Sequence, residues 1–237
     1  MSSFPKVEPH DSLVKIMDNA WYLTGSVMLM PLVRLVRNMV VLRHNNELTV
    51  INSVRVNAEE EAKLEALGTV KHVVKIGGHG MDDPYYLDKY GAKYWVIDEA
   101  FAAEKEDVEL LTEETVLPIP SAKVFLFRDT NKPEAALLID RDEGLLITCD
   151  SVQHWVPHKL MSPAAKLLTM VMGFRKPAQI GPPWRKLQTP AGGSLKADFE
   201  RLASLPFQRI IGGHGGLLES GGPEALRATI RREIGYK

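Results

Sequence analysis

Four polar loops, each directly following an apolar run, set the strongest limits on how this 237-residue chain can fold. They are Ile76–Asp83 (IGGHGMDD), Ile119–Lys123 (IPSAK), Thr148–Ser151 (TCDS) and Ile211–Gly216 (IGGHGG). A strand that ends in a glycine-flanked His or Asp presents that side chain at a sheet edge, where glycine lets backbone or ligand approach closely. Two His and two Asp at strand ends can converge on one cation, and neutral imidazole with carboxylate suits zinc, manganese or iron. One such loop alone would ordinarily hold a structural or solvent-exposed His; several in one chain shift the balance toward a site.

The remaining pattern alternates strands and helices. Trp21–Val27, Met39–Arg43 and Glu47–Ser53 read as strands, with the Asn45-Asn46 pair as a turn signal. Residues 28–37 are apolar and basic and read as an insertion or lid. Asn57–Leu67 reads as a helix, with Asn57 as N-cap, glutamates in the first turn and Gly68 ending it. Val70–Ile76 is expected as a buried strand, Pro84–Tyr90 as a helix capped by Asp82 or Asp83, and Lys93–Asp98 as a strand. In the second half Lys123–Arg128, Ala135–Asp140 and Leu145–Cys149 read as a meander. Pro157–Phe174 is expected to be mostly helical and residues 175–193 a Pro/Gly-rich crossing loop, so that 157–193 forms a second lid or insertion. Leu195–Leu205, Arg209–Ile211 and Pro223–Ile234 read as helix, strand and helix. Each half runs strands first, then helix–strand units, which predicts two mixed sheets face to face with helices outside, in one domain over 1–237.

Composition narrows the function. The net charge of -1 supplies no global basic field for nucleic acid, and none is expected as a partner. Cys149 is the only cysteine, which excludes an intrachain disulfide and a Cys-based zinc cluster. It reads as a buried packing residue, with a reactive thiol as the alternative. The first twelve residues hold no apolar signal core, and no apolar stretch is long enough to span a bilayer, so a cytoplasmic location is expected. Leu160–Phe174 comes nearest and reads as an amphipathic helix or subunit contact, hence a homodimer, with membrane-surface attachment as the alternative.

The order and spacing of these loops resemble the metallo-β-lactamase fold superfamily over nearly the whole chain. Arg37-Asn38-Met39 is similar to the family's opening "rNm" segment and Leu48–Ser53 to its "LxLID(S/T)" segment. Leu67–Ile76 resembles the strand leading to HxHxDH, Leu145–Asp150 resembles "LLFxGD", and Arg209–Gly215 resembles "xxxPGHG". The resemblance implies a four-layer αββα sandwich of two mixed sheets. It also implies a metal centre that activates water for hydrolysis, with His79, Asp83, Asp150 and His214 as the surviving ligands. Met81 and Pro84 stand where two motif histidines belong, Asn52 stands where the family has Asp, and Pro118–Ala122 carries no histidine at the PGHT position.

That reduced set suits one divalent ion, zinc, manganese or iron, rather than a pair. A metal-free protein is the alternative. His154 and His158, on a shared helical face, are candidate extra ligands. Asp82 and Asp83 are candidate general bases, and Ser121, Lys123, Tyr85 and Trp184 candidate substrate contacts. His10, His44 and His72 read as surface or packing residues. The expected function is hydrolysis of an ester, lactone, thioester or phosphoester. The alternative is a non-catalytic descendant that binds a small molecule or a protein, and a redox role ranks below both.

Overall fold

The computed structural model describes residues 4–102, 108–174 and 176–235. Strands β1 (Val14–Met17), β2 (Ala20–Met30), β3 (Val33–His44) and β4 (Glu47–Ile51) form an antiparallel meander. Helix α1 (Ala58–Leu67) then crosses to β5 (Thr69–Lys75), and α2 (Asp83–Tyr90) crosses to β6 (Lys93–Val96). With β7 (Val108–Leu110), these last strands extend the sheet in parallel to seven in sequence order. The second sheet has the order β13-β10-β9-β8: β8 (Ala122–Leu126), β9 (Ala135–Ile139) and β10 (Leu145–Thr148) are antiparallel, and β13 (Arg209–Ile211) joins β10 in parallel. A short ribbon pairs β11 (Val152–Gln153) with β12 (Gln179–Ile180), and helices α3 (Pro163–Val171), α4 (Pro182–Gln188), α5 (Lys196–Leu202) and α6 (Gly222–Glu233) complete the chain.

The layers follow from strand alternation. In β3, Val40 and Leu42 point into the space between the sheets, where they meet Leu137, Ile139, Leu145 and Ile147. Met39 and Val41 point the other way, onto Leu64 of α1 and Tyr86 and Leu87 of α2. The outer face of the second sheet (Phe125, Leu138, Leu146, Ile210) packs on Trp184, Phe199 and Leu226 of α4, α5 and α6. Strands β9 and β10 are buried on both faces and therefore read as unbroken apolar runs. The result is the αββα sandwich expected from the sequence.

Helix α1 is capped as expected, the Asn57 side chain accepting from Glu60 N at 2.9 Å. Several segments differ from expectation. Residues 28–37 continue β2 and β3 to the end of a long hairpin, Met28 pairing with Arg34 and Met30 with Val33 across a tight turn at residues 31–32. Only Pro163–Val171 of the expected 157–174 helix is helical; it starts where the Ser162 hydroxyl caps it and Pro163 takes a first-turn position. The expected crossing loop contains β12 and α4, since a proline tolerated in the first turn starts a helix as readily as it breaks one. Arg175, where that loop was placed to begin, lies outside the described residues.

Candidate metal centre

The C-terminal ends of β5, β10 and β13 and the N-terminal end of β9 meet along one edge of the sandwich. His79 follows β5, Asp150 follows β10 and His214 follows β13. The His79 Nε2 atom lies 3.0 Å from Asp150 Oδ1, and His214 Nε2 lies 3.3 Å from the same oxygen. Among the described residues these three form the one cluster of candidate ligands, with one ligand atom each and all within 4.8 Å of one another. The two imidazoles meet edge to face at 4.5 Å between ring centres.

Second contacts fix His214 and Asp150. His214 Nδ1 is 2.5 Å from the Val36 carbonyl, which can only accept, so Nδ1 carries the proton. The Trp155 ring stacks on His214 at 5.6 Å, and its indole N–H donates to Gln153, whose amide donates to Asp150 Oδ1 at 2.9 Å. Asn38 on β3 donates to the Gly212 and Gly215 carbonyls at 2.9 and 3.1 Å, tying the His214 loop to the first sheet. Gly213 is needed for close approach: a Cβ there would stand 2.9 Å from His79 Cδ2.

The electrostatics follow from burial and these neighbours. Burial opposes ionisation of Asp150, yet His79 and His214 hold its pKa down to about 2. Burial pulls on His79 in the opposite sense, but Asp150 outweighs it and raises that imidazole above its ordinary value. Burial, reinforced by His79, lowers His214 to about 4, so it is neutral at pH 7. A neutral His214 protonated on Nδ1 turns its Nε2 lone pair toward the ionised Asp150 oxygen. Two acceptors then face each other at 3.3 Å with no proton between them. A cation resolves that conflict, and two imidazoles with one carboxylate are a donor set that fits zinc, manganese or iron.

The other candidates lie elsewhere. Asp83 is buried away from the cluster: Ser53 Oγ donates to it at 2.5 Å, Tyr94 OH at 2.9 Å, and Lys75 Nζ lies 3.7 Å away. Asp82 pairs with Arg37 at 2.5 Å and accepts from Arg55 N at 2.8 Å, as a buried structural pair. Neither aspartate lines the cavity above the cluster. His154 bridges to Gly215 in an extended segment, and His158 pairs with Asp11 at 3.1 Å. The helical turn that would have put them on one face does not form. Met81 is largely exposed. Asn52 takes a left-handed φ of 53° and donates to the Thr148 carbonyl at 3.1 Å. Cys149 is buried, and burial followed by Asp150 and Glu134 raises its thiol pKa, which suits packing.

Strand register accounts for Ser121 and Lys123. Ala122 pairs with Ile139, and Ile139 pairs with Leu145, so both lie at the end of the sheet opposite Asp150. Lys123 pairs there with Asp140 at 2.5 Å. Tyr85 donates to Glu61 on the outer helical layer, also away from the cluster. Trp184 does reach the cavity.

The sequence reading missed Glu134. It is buried, accepts from Ser151 N at 2.8 Å, Asp150 N at 3.2 Å and Trp184 Nε1 at 2.6 Å, and so holds the Asp150 loop. Burial, then the Asp150 charge, raises its pKa to about 7. Strand register places it there: Thr148 pairs with Ala136, so residue 134 falls opposite residue 150.

Above the cluster opens a cavity of about 480 Å³ with Asp150, His214, Gln153 and Glu134 at its polar end. Leu29 and Leu35 of the hairpin, Leu168 and Met172 around α3, and Trp184 and Leu187 of α4 supply apolar walls.

Two stacked mixed sheets with helices outside, carrying a His/Asp cluster of candidate ligands at their strand ends, define the class as an αββα sandwich. Within that class, the fold of this chain is that of the metallo-β-lactamases. A metallo-β-lactamase from Hirschia baltica superposes with a TM-score of 0.61 at 14% identity, over 94% of this chain and 96% of that one. The FIM-1 metallo-β-lactamase from Pseudomonas aeruginosa in its mono-zinc form gives 0.64 at 10%, over 96% and 97%. A flavo di-iron protein mutant from Thermotoga maritima gives 0.64 at 14%, over 96% of this chain and 62% of that one. No family model matches the sequence, and no curated protein does.

Proposed function

We propose that this chain is a metal-dependent hydrolase with a mononuclear centre held by His79, Asp150 and His214. The observation that carries this reading is the convergence of one ligand atom each from His79, Asp150 and His214, all within 4.8 Å of one another, beside the cavity that Asp150 and His214 line. A divalent ion bound there supplies Lewis acidity and lowers the pKa of water. The protein's part is to present three ligands, His214 oriented by the Val36 carbonyl and Asp150 by Gln153 and the Glu134-held loop. Asp83 and Asp82 act as supports for the β5–α2 loop that carries His79. The cavity walls, formed in part by the hairpin end and by the 157–193 segment, exclude water and receive an apolar group of the substrate. An ester, thioester, lactone or phosphoester bearing such a group fits this shape.

Metal analysis of protein purified without added metal tests the reading. One ion per chain is expected, lost in both His79→Ala and His214→Ala, with turnover of at least one substrate in a panel of apolar esters, thioesters, lactones and phosphodiesters. Absence of bound ion, together with no thermal stabilisation by zinc, manganese or iron, would overturn it.

One observation favours a second reading. Asp150 is already hydrogen-bonded by His79 and Gln153, which keeps two of the three donors satisfied without an ion. A metal-free binding module would use the same cavity for a small apolar ligand. Stabilisation by such ligands with no metal uptake would select it.

A further inference from the structure

Charge is distributed unevenly along this nearly neutral chain. Between Ser151 and Ala197 lie seven Lys and Arg residues and no Asp or Glu, and between Asn19 and Asn46 lie three Arg and no acid. Both acid-free stretches reach the cavity, beside Phe101 and residues 132–134: Leu29 and Leu35 come from the first, and Leu168, Met172, Pro183 and Leu187 from the second. Hydrogen bonds join them, Ser162 at the start of α3 donating to Leu32 O at 2.7 Å and accepting from Arg34 N at 3.1 Å.

The same face is apolar on its outside. Leu32 at the hairpin turn is 80% exposed, Val171 at the end of α3 is 74% exposed and Leu187 on α4 is 72% exposed, with Met28, Met30 and Leu167 also open. Single exposed apolar residues are ordinary, but a cluster around a cavity mouth marks an interaction surface. Lys166, Lys176 and Lys186 are interleaved with these side chains, exposed and without an acidic partner among the described residues.

We propose that the face built from the β2–β3 hairpin end, α3 and α4 docks on an anionic lipid surface. Apolar side chains that enter the headgroup layer, flanked by lysines that meet anionic lipid, are the chemistry of an interfacial membrane contact. No helix among the described residues is long and apolar enough to cross a membrane, so the contact is a surface one. Pairing with a second copy through this face is disfavoured, because a self-complementary interface would set the unpaired Lys166, Lys176 and Lys186 of one copy against those of the other. The docked face opens the cavity toward the bilayer, from which an amphiphilic ligand can enter.

Flotation with vesicles tests this, using phosphatidylcholine alone and phosphatidylcholine mixed with phosphatidylglycerol at low salt. Each lysine near an anionic surface contributes about a fivefold gain, so the mixed vesicles are expected to bind on the order of a hundredfold more protein than the neutral ones. Added salt should reduce that preference. Leu32→Glu combined with Val171→Glu should abolish binding, and Lys166→Glu combined with Lys186→Glu should remove the preference for anionic vesicles. All four residues are exposed, and circular dichroism melts of both variants should match the parent. No flotation on either vesicle, or flotation unchanged in both variants, would overturn the proposal. So would a dimer in sedimentation velocity that Val171→Glu disperses while vesicles bind nothing. Repeating the assay in chelator should leave binding unchanged, because none of the three candidate ligands belongs to the docking face; the outcome is therefore separate from that of the metal site.

Discussion

His79 and Asp150 meet at 3.0 Å although one follows a strand of the seven-stranded sheet and the other a strand of the four-stranded sheet. The cluster therefore exists only when the two sheets are stacked in register. The core between them, including Ile76, Ala135 and Ile147, positions the candidate ligands as well as stabilising the fold.

Asp150→Asn removes the charge that both imidazoles face. Losing an outer-sphere partner typically lowers metal affinity about 10–100-fold, and losing a ligand should cost at least that much. A zinc titration against a competing chelator, read without any substrate, measures the change. Unchanged affinity would remove Asp150 from the ligand set.

Gly213→Ala removes no candidate ligand. Its Cβ would stand 2.9 Å from His79 Cδ2 and 3.0 Å from the Cys149 carbonyl, so the imidazole must move. Metal affinity is expected to fall by about tenfold, a loss of about 1.4 kcal/mol in binding free energy, through misplacement of an intact ligand. Isothermal titration with zinc or manganese checks it.

Asp82→Ala distinguishes a structural role from that of a general base. Removing one partner of a buried ion pair leaves the Arg37 guanidinium uncompensated and should cost about 3–5 kcal/mol in urea unfolding. Metal stoichiometry in the folded variant should stay at the parent value. A variant of full stability with activity lost would instead make Asp82 catalytic.

Asp83 sets a pH dependence. Burial, opposed by Lys75, raises its carboxyl from 3.8 to about 6 in the folded state, so the folded protein holds a proton that the unfolded chain has released. This contribution to stability is complete below about pH 4 and is lost as pH rises through 6. Between pH 4 and pH 7 the parent should lose about 3 kcal/mol relative to Asp83→Asn, from a shift of about two pH units. Urea midpoints of both proteins across that range measure the difference.

Much of this fold was legible along the chain because its cues are local. Apolar runs marked β9 and β10, Asn57 and the glutamates after it marked α1, and glycine-flanked histidines, with Asp150 directly after an apolar run, marked the strand ends that carry His79, Asp150 and His214. Local cues failed where two readings share one pattern. The apolar stretch 28–37 served equally as a lid and as the end of a hairpin, and only its pairing with the neighbouring strand distinguished them. Pro182 and Pro183 read as breakers and proved to start α4.

Residue types and their order along the chain determined the sandwich and named three of its candidate ligands, because alternation, capping and glycine placement act within a few residues. Which aspartates reach the site was a tertiary matter. Asp83 sits four residues from His79 yet is turned into a pocket of Ser53, Tyr94 and Lys75, while Glu134, 55 positions from His79, is brought against the Asp150 loop by strand register. Sequence spacing cannot report on contacts that depend on how the sheets stack and which ends of their strands coincide.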